Sequence, residues 1–315
     1  MPLSQPLSPR GPVVLTYHGI PSRGLPEEID AATFERQMVF LKAHFDLVSP
    51  DSLAIRSGSS KKRNQVLLTF DDGFRNNAEV VAPILRRYRV PAVFFVCSRH
   101  AEPGRYLWFS YLRALERWFK GDGFQFRGRY FEMSASKRQS SVAELRSLLL
   151  GLRPHPTAMY QAIEAECPQL KDFVPESDFA DRFAGMSAVQ VRELAADPLF
   201  TIGIHTVDHP YLTMCNSDEI SQQIADNKAW IEQLTGRTCE LIAYPLGEAS
   251  ADVLQSCERL NLRYGFTVYK RIDGDTQLQL FRVGVYRPSL DELGFKVRWS
   301  HLLMRLQSQG YLVTH

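Results

Sequence analysis

The stretch Val66-Leu67-Leu68-Thr69-Phe70-Asp71-Asp72-Gly73 constrains this chain more than any other. A short apolar run rich in branched and aromatic residues is the pattern of a strand buried on both faces, which belongs to a parallel sheet covered by helices. It ends in two adjacent carboxylates and a glycine. Neighbouring side chains on an extended strand point to opposite faces, so both acids reach one pocket only if the chain turns, and Gly73 permits the turn. Like charges that close raise each other's proton affinity unless a cation intervenes. A metal ion on one acid, with the other left to exchange protons, is an economical arrangement. The alternative is that Asp71 and Asp72 cap a helix beginning near Phe74.

A second constellation, Gly203-Ile204-His205-Thr206-Val207-Asp208-His209-Pro210, places two histidines four apart after the apolar stretch Leu199 to Ile204. On a helix such a pair shares a face; at a strand end followed by a turn it also converges on one ion. Neutral imidazole is a common zinc ligand, and two histidines with one carboxylate leave a coordination position open for water. A core histidine plus a capping one is the alternative.

Around these motifs the chain alternates. Pro12 to Gly19 reads as a strand that puts His18 at its carboxyl end. Asp30 opens a helix with Phe34, Met38, Leu41 and Phe45 on one face. Phe74 to Tyr88 is helical, and Val90 to Val96 is again a strand, so the class is α/β with parallel strands. Between 99 and 186 the spacing becomes helical, marking an insertion within a single domain spanning 1–315. Tyr106 to Leu112 begins it, with Leu115, Trp118 and Phe119 extending an aromatic face expected to pack on the barrel. Phe124 to Phe131 reads as a hairpin, and Val142 to Leu152 and Ala158 to Cys167 as helices. The insertion is read as a lid or substrate-binding lobe, with a partner-binding surface as the alternative. Afterwards come a serine-started helix from Ser187, a long helix from Ser217 to a stop at Gly236, and strands at Glu240–Tyr244, Tyr264–Tyr269 and Leu280–Val285. A helix over Asp291–Gln309 closes the chain.

Thr69-Phe70-Asp71-Asp72-Gly73 and His205-Thr206-Val207-Asp208-His209 resemble the first two motifs of the polysaccharide deacetylases, carbohydrate esterase family 4, and Ala243-Tyr244-Pro245-Leu246-Gly247 is similar to the family's groove-lining loop. The resemblance extends loosely from Pro12 to about Val285. It implies a distorted, incomplete (β/α) barrel. It also implies that Asp72, His205 and His209 hold one divalent metal ion, zinc by geometry and family habit, although such ligands also accept cobalt, nickel or iron. Asp71 is then the base, the Leu246 N–H the oxyanion donor, and Tyr244, Pro245 and Gly247 line the substrate groove. The sequence departs from the family twice. Ala243 stands where many relatives have an arginine that steadies the catalytic aspartate, and Arg282 is the nominated substitute. The late Leu-x-His motif that supplies a general acid is not found; His18 replaces it by rim placement, ahead of His301.

Formal net charge of +2 over 315 residues gives no argument for nucleic acid. Cys97, Cys167, Cys215, Cys239 and Cys257 are scattered, without CxxC spacing, and imply reduced thiols rather than a disulfide framework. The first ten residues carry three prolines and no long apolar region, so neither a secretion signal nor stable membrane insertion is read there, and a cytoplasmic location is expected by default. The implied activity is metal-dependent removal of N-acetyl groups from amino sugars of a polysaccharide, an oligosaccharide or a carrier-linked glycan. A catalytically inactive carbohydrate-binding or scaffolding protein, or a deacylase of a small non-sugar amide, is the alternative. The partner is a carbohydrate substrate; protein partners are not readable.

Overall fold

A computed structural model describes residues 11–25, 27–54, 65–152, 156–268, 274, 277–300 and 302. The elements run β1 (Val13–Tyr17), α1 (Ala31–His44), β2 (Asp46–Leu47), β3 (Gln65–Phe70), α2 (Ala82–Tyr88), β4 (Ala92–Val96), α3 (Trp108–Trp118), β5 (Gly123–Phe126), β6 (Arg129–Glu132), α4 (Arg138–Leu150) and α5 (Pro156–Glu166). Then follow α6 (Leu170–Phe173), α7 (Glu176–Arg182), α8 (Ala188–Ala196), β7 (Phe200–Ile204), α9 (Ser217–Thr235), β8 (Leu241–Ala243), α10 (Ala251–Arg259), β9 (Tyr264–Thr267), β10 (Leu280–Gly284) and α11 (Leu290–Arg298).

Seven strands close a parallel ring in the order β1-β10-β9-β8-β7-β4-β3 and back to β1, one strand fewer than a full (β/α) barrel. Closure is made by β3 on β1, with Val13 opposite Val66 and Tyr17 opposite Phe70. The two-residue β2 adds to the amino end of β3. Strands β1, β3, β4 and β9 are buried on both faces, which explains the missing polar alternation in their sequences. Val13, Leu15, Tyr17, Leu68, Phe70, Phe94 and Ile204 pack outward among the helices. Val14, Leu67, Val93, Phe95, Leu241, Ala243 and Phe266 fill the barrel interior.

The helices begin where their residues cap them. Asp30 accepts from the Thr33 N–H ahead of α1, and Phe34, Met38, Leu41 and Phe45 are all buried. Ser187 and Gln190 form a capping box before α8, and Gly236, at φ 66°, ends α9 in the left-handed conformation that glycine tolerates. Helix α2 is entered through a π-turn over Asn77–Val81 that sequence periodicity does not reveal. Of the expected closing elements, Tyr269, His301 and 303–309 lie outside the described residues. No helix among the described residues is long and apolar enough to cross a membrane, and the five cysteines are free.

The 99–186 segment contains α3 to α7 and the β5–β6 hairpin, turned through left-handed Arg127 and Gly128. Its aromatic face meets the barrel at one end, where Leu107 and Phe109 pack with Phe74 and Cys97. Trp108, Tyr111, Leu115, Phe126, Phe131, Leu145, Tyr160 and Phe183 form a core of their own, with Trp118 and Phe119 against it. Two strips stitch this lobe to the rim. Arg75 N–H donates to the Ala184 carbonyl and Met186 N–H to that of Gly73; Tyr160 Oη donates to the Asp208 carbonyl at 3.0 Å, while Arg99 meets Asp208 Oδ1 at 3.3 Å. At the first strip a Cβ on Gly185 would lie 1.9 Å from the His100 carbonyl oxygen. Gly185→Ala therefore forces the strip apart and is expected to cost about 1–3 kcal/mol in urea denaturation; an unchanged midpoint would show that the closure tolerates a methyl group.

Candidate active site

Strand parity decides which side chains reach the barrel mouth. Outward Val13, Leu15 and Tyr17 alternate with inward Val14 and Thr16 on β1, so the next inward position beyond the strand is His18. By the same count β3 delivers Asp71 after Leu67 and Thr69, and β7 delivers His205 after Gly203. All three stand at the carboxyl-terminal rim, where barrel enzymes assemble their chemistry. Asp72 would face outward if the strand continued. Its own φ of 74°, followed by 70° at Gly73, turns it back beside Asp71. The turn thus starts one residue earlier than the glycine suggests.

Asp72, His205 and His209 offer donor atoms that all lie within 4.8 Å of one another, and all three residues are buried. Nε2 of His205 is 3.4 Å, and Nε2 of His209 3.5 Å, from Asp72 Oδ1. Ligands about 2.1 Å from a tetrahedral ion are on the order of 3.4 Å apart, so the spacing fits a divalent cation. The donor chemistry agrees: both Asp72 carboxylate oxygens are buried without a hydrogen-bond partner among the described residues, an expensive state unless a cation completes it. His205 Nδ1 lies 2.8 Å from the Ala243 carbonyl and donates to it, which leaves Nε2 unprotonated and aimed at the site. Burial pushes the His209 imidazole down to about 4, so it is neutral at pH 7 as a ligand must be. His205 differs. Burial lowers its proton affinity, but its contact with Asp72 and the charge of Asp71 outweigh that and raise it.

Asp71 is held by Arg282. The guanidinium crosses the barrel mouth from β10, itself 2% exposed, and donates from Nη1 and Nη2 to the two Asp71 oxygens at 2.6 Å each. Its Nη1 also reaches Thr69 Oγ1 at 3.2 Å, and its Cζ lies over the Phe95 and Phe266 rings at 5.7 and 6.0 Å. Burial pushes the Asp71 carboxyl up, yet the Arg282 charge more than offsets this and holds it below the usual carboxylate range. With Asp71 committed to Arg282 and Asp72 without a donor, neither acid caps a helix.

The remaining expected site residues are placed unequally. His18 lines the cavity, its ring centroid 5.8 Å from that of Tyr286, and burial lowers its pKa. Leu246 and Gly247 also line it, in consecutive left-handed conformations at φ 61° and 76°. Tyr244 also lines the cavity. Parity on β8 turns its ring outward into the helix-facing core, where its hydroxyl donates to the Leu278 carbonyl at 2.8 Å, so no free hydroxyl faces the groove. Pro245 is buried and outside the cavity lining.

Residues missed in the sequence hold the loops. Gln223 Oε1 accepts from the Val207 and Asp208 N–H groups while its Nε2 donates to Asp208 Oδ2, and Asn227 Oδ1 accepts from the His205 N–H. Both are buried polar residues on the otherwise apolar face of α9 with Ile220, Ile224 and Ile231, which is the signal that could have found them. His100 lies between the Asp72 and Phe183 carbonyls, at 3.0 and 2.8 Å. The cavity above these residues measures about 800 Å³, and the inserted lobe supplies one wall through Phe109, Arg113, Trp118 and Arg146.

A parallel barrel with a histidine–carboxylate cluster at its carboxyl rim has its reactive side chains where barrel enzymes assemble their chemistry. The polysaccharide deacetylase family model matches residues 58–120 and 173–265, leaving out the middle of the inserted lobe. The chain belongs to the polysaccharide deacetylase family, hydrolases of carbon–nitrogen bonds other than peptide bonds. It is 19% identical over 257 residues to YxkH of Bacillus subtilis, named as a polysaccharide deacetylase, covering 81% of this chain but only 63% of that protein's length. Its fold is similar to the Streptococcus pyogenes deacetylase PplD in complex with acetate, at a TM-score of 0.58 and 20% identity over 91% of this chain and 98% of that one. IcaB from Ammonifex degensii superposes at 0.57, with 18% identity over 92% and 97%.

Replacing Arg282 by Met leaves a buried carboxylate unpaired, and is expected to cost about 3–5 kcal/mol at pH 7 in chemical denaturation. The sign with pH follows from the lowered Asp71 pKa. Stability from this pair is present above the unfolded carboxyl pKa and is lost as pH falls through the folded one. The variant's carboxyl, no longer held down, takes its proton first, so the gap to wild type should narrow on acidification.

Proposed function

We propose that the protein is a metal-dependent deacetylase that removes N-acetyl groups from amino sugars of a polysaccharide, an oligosaccharide or a carrier-linked glycan. The observation that carries this reading is the buried Asp72 carboxylate with two imidazole nitrogens 3.4 and 3.5 Å away and a second, ionised carboxylate adjacent. Asp72, His205 and His209 would hold the ion, with zinc the best match to three nitrogen and oxygen donors. When bound, it supplies Lewis acidity, making water nucleophilic near neutral pH and polarising the acetamide carbonyl.

The protein's own residues carry the protons. Asp71 accepts one from the attacking water, and Arg282 keeps that carboxylate ionised and pointed into the cavity. The Leu246 N–H donates to the oxygen that becomes negative in the tetrahedral intermediate. His18, on the same rim, relays the proton released by the attacking water to the departing amine. Phe109, Trp118 and Tyr286 are only partly covered and border the cavity, which suits stacking on the apolar faces of sugar rings.

Acetate release from an N-acetylated oligosaccharide tests the reading. Thorough chelation should abolish it and added zinc restore it; full activity after chelation would refute metal dependence. Asp71→Asn is expected to lower kcat by about 10²–10⁴ while metal content, measured by elemental analysis, stays at wild-type stoichiometry. His18→Gln should lower kcat by about 10²-fold, and normal turnover in that variant would remove His18 from the mechanism.

A further inference from the structure

Five arginines border the cavity, and three of them are already matched to acids. Arg282 is clamped on Asp71. Arg117 and Arg182 share Glu28, at 2.9 and 3.0 Å. Arg113 and Arg146 are different: both are exposed, and neither has a carboxylate within 4.0 Å among the described residues. The acids nearest in the lining, Glu27 and Glu116, are themselves exposed and make no ion pair with them there.

The position of these two cations ties them to the reacting end. Arg113 stands one helical turn after Phe109 on α3, its Cζ 5.6 Å from that ring. Phe109 in turn meets the His209 imidazole edge-on at 5.0 Å. One aromatic ring thus separates the guanidinium from the metal cluster, and the Arg113 charge is felt by His18 across the cavity. Arg146 comes from α4, which packs along α3, and opens onto the same space. A neutral glycan gives two uncompensated guanidinium groups nothing to pair with. An oxyanion does, since the planar donor fork of arginine matches phosphate and carboxylate oxygens in pairs.

Building on the deacetylase reading, we propose that Arg113 and Arg146 receive an oxyanion carried by the substrate on or beside the N-acetylated sugar, either a phosphate or diphosphate at its reducing end or the carboxylate of a neighbouring acidic sugar. The lobe that bears them then selects charged glycans over neutral ones.

Acetate release with full-length protein and metal decides the matter, using three substrates that share one N-acetylhexosamine: a neutral oligosaccharide, its reducing-end phosphate, and one with an adjacent uronic acid. The expected result is a kcat/KM about tenfold higher for one charged substrate than for the neutral one, expressed in KM and shrinking as salt rises. Whether the phosphate or the uronic acid gains identifies the source of the anion. Arg113→Gln and Arg146→Gln should each reduce the charged-to-neutral ratio about fivefold or more, with Arg113→Lys retaining part of it. Equal turnover of all three by wild type, or a ratio preserved in the double variant, overturns this inference and leaves the deacetylase reading standing. No release from any substrate overturns both.

Discussion

Two carboxylates adjacent in sequence are buried together at the barrel mouth, Asp71 at 3% and Asp72 at 1% exposure. Removing one such charge from water already costs several kcal/mol after relaxation, and a like-charged neighbour adds to it. Each acid is compensated by a different device. Asp71 has a guanidinium delivered through the barrel interior, flanked by aromatic rings and matched oxygen to nitrogen. Asp72 has two imidazoles and no hydrogen-bond partner among the described residues, an environment that a cation would complete. That asymmetry distinguishes the two acids, and the proposed division of roles rests on it.

Bringing these groups together strains the backbone. Asp72, Thr206, His209 and Leu246 all have positive φ, between 54° and 74°, at a cost of roughly 1–2 kcal/mol for each residue bearing a Cβ. Such strain persists only where neighbours over-determine it. Here they do: Thr206 Oγ1 accepts from the His209 N–H, Gln223 and Asn227 fasten the histidine loop from α9, and the ring of His100 abuts the Asp72 carbonyl. The parallel barrel beneath, packed outward among the helices and inward on an apolar interior, supplies the rigid frame.

Much of this was legible in the sequence, and the reason is strand parity. Period-two alternation places His18, Asp71 and His205 on the inner face once the strands are recognised, and the motifs point to the same residues. Tyr244, one step out of phase with inward Ala243, borders the cavity as the motif resemblance implies, while its hydroxyl is tied to the Leu278 carbonyl. Arg282 was reachable because Ala243 vacates the position from which many relatives supply their cation, and a lone arginine in an apolar strand invites that substitution. Asn227, Gln223 and His100 were not read, because a polar side chain shows its purpose only when the backbone groups it satisfies come from distant segments. The core of the inserted lobe was hidden for a similar reason. A helical aromatic stripe states that it is buried, but not against what.

The lobe's attachment gives that hidden core its functional meaning. A hinged lid would need its contacts with the rim to open without disturbing the catalytic loops, whereas here the contacts are with those loops themselves. Arg99 and Tyr160 hold Asp208, between the two histidine ligands, and the 184–186 strip pairs with Gly73 and Arg75, beside Asp72. His100 joins both sides, its two ring nitrogens facing the Asp72 and Phe183 carbonyls. Lifting the lobe would therefore pull on the chain beside Asp72, His205 and His209. A wall held by these contacts fixes the distance between the Asp72, His205 and His209 cluster and the residues that α3 presents to the cavity, Phe109 and Arg113 among them.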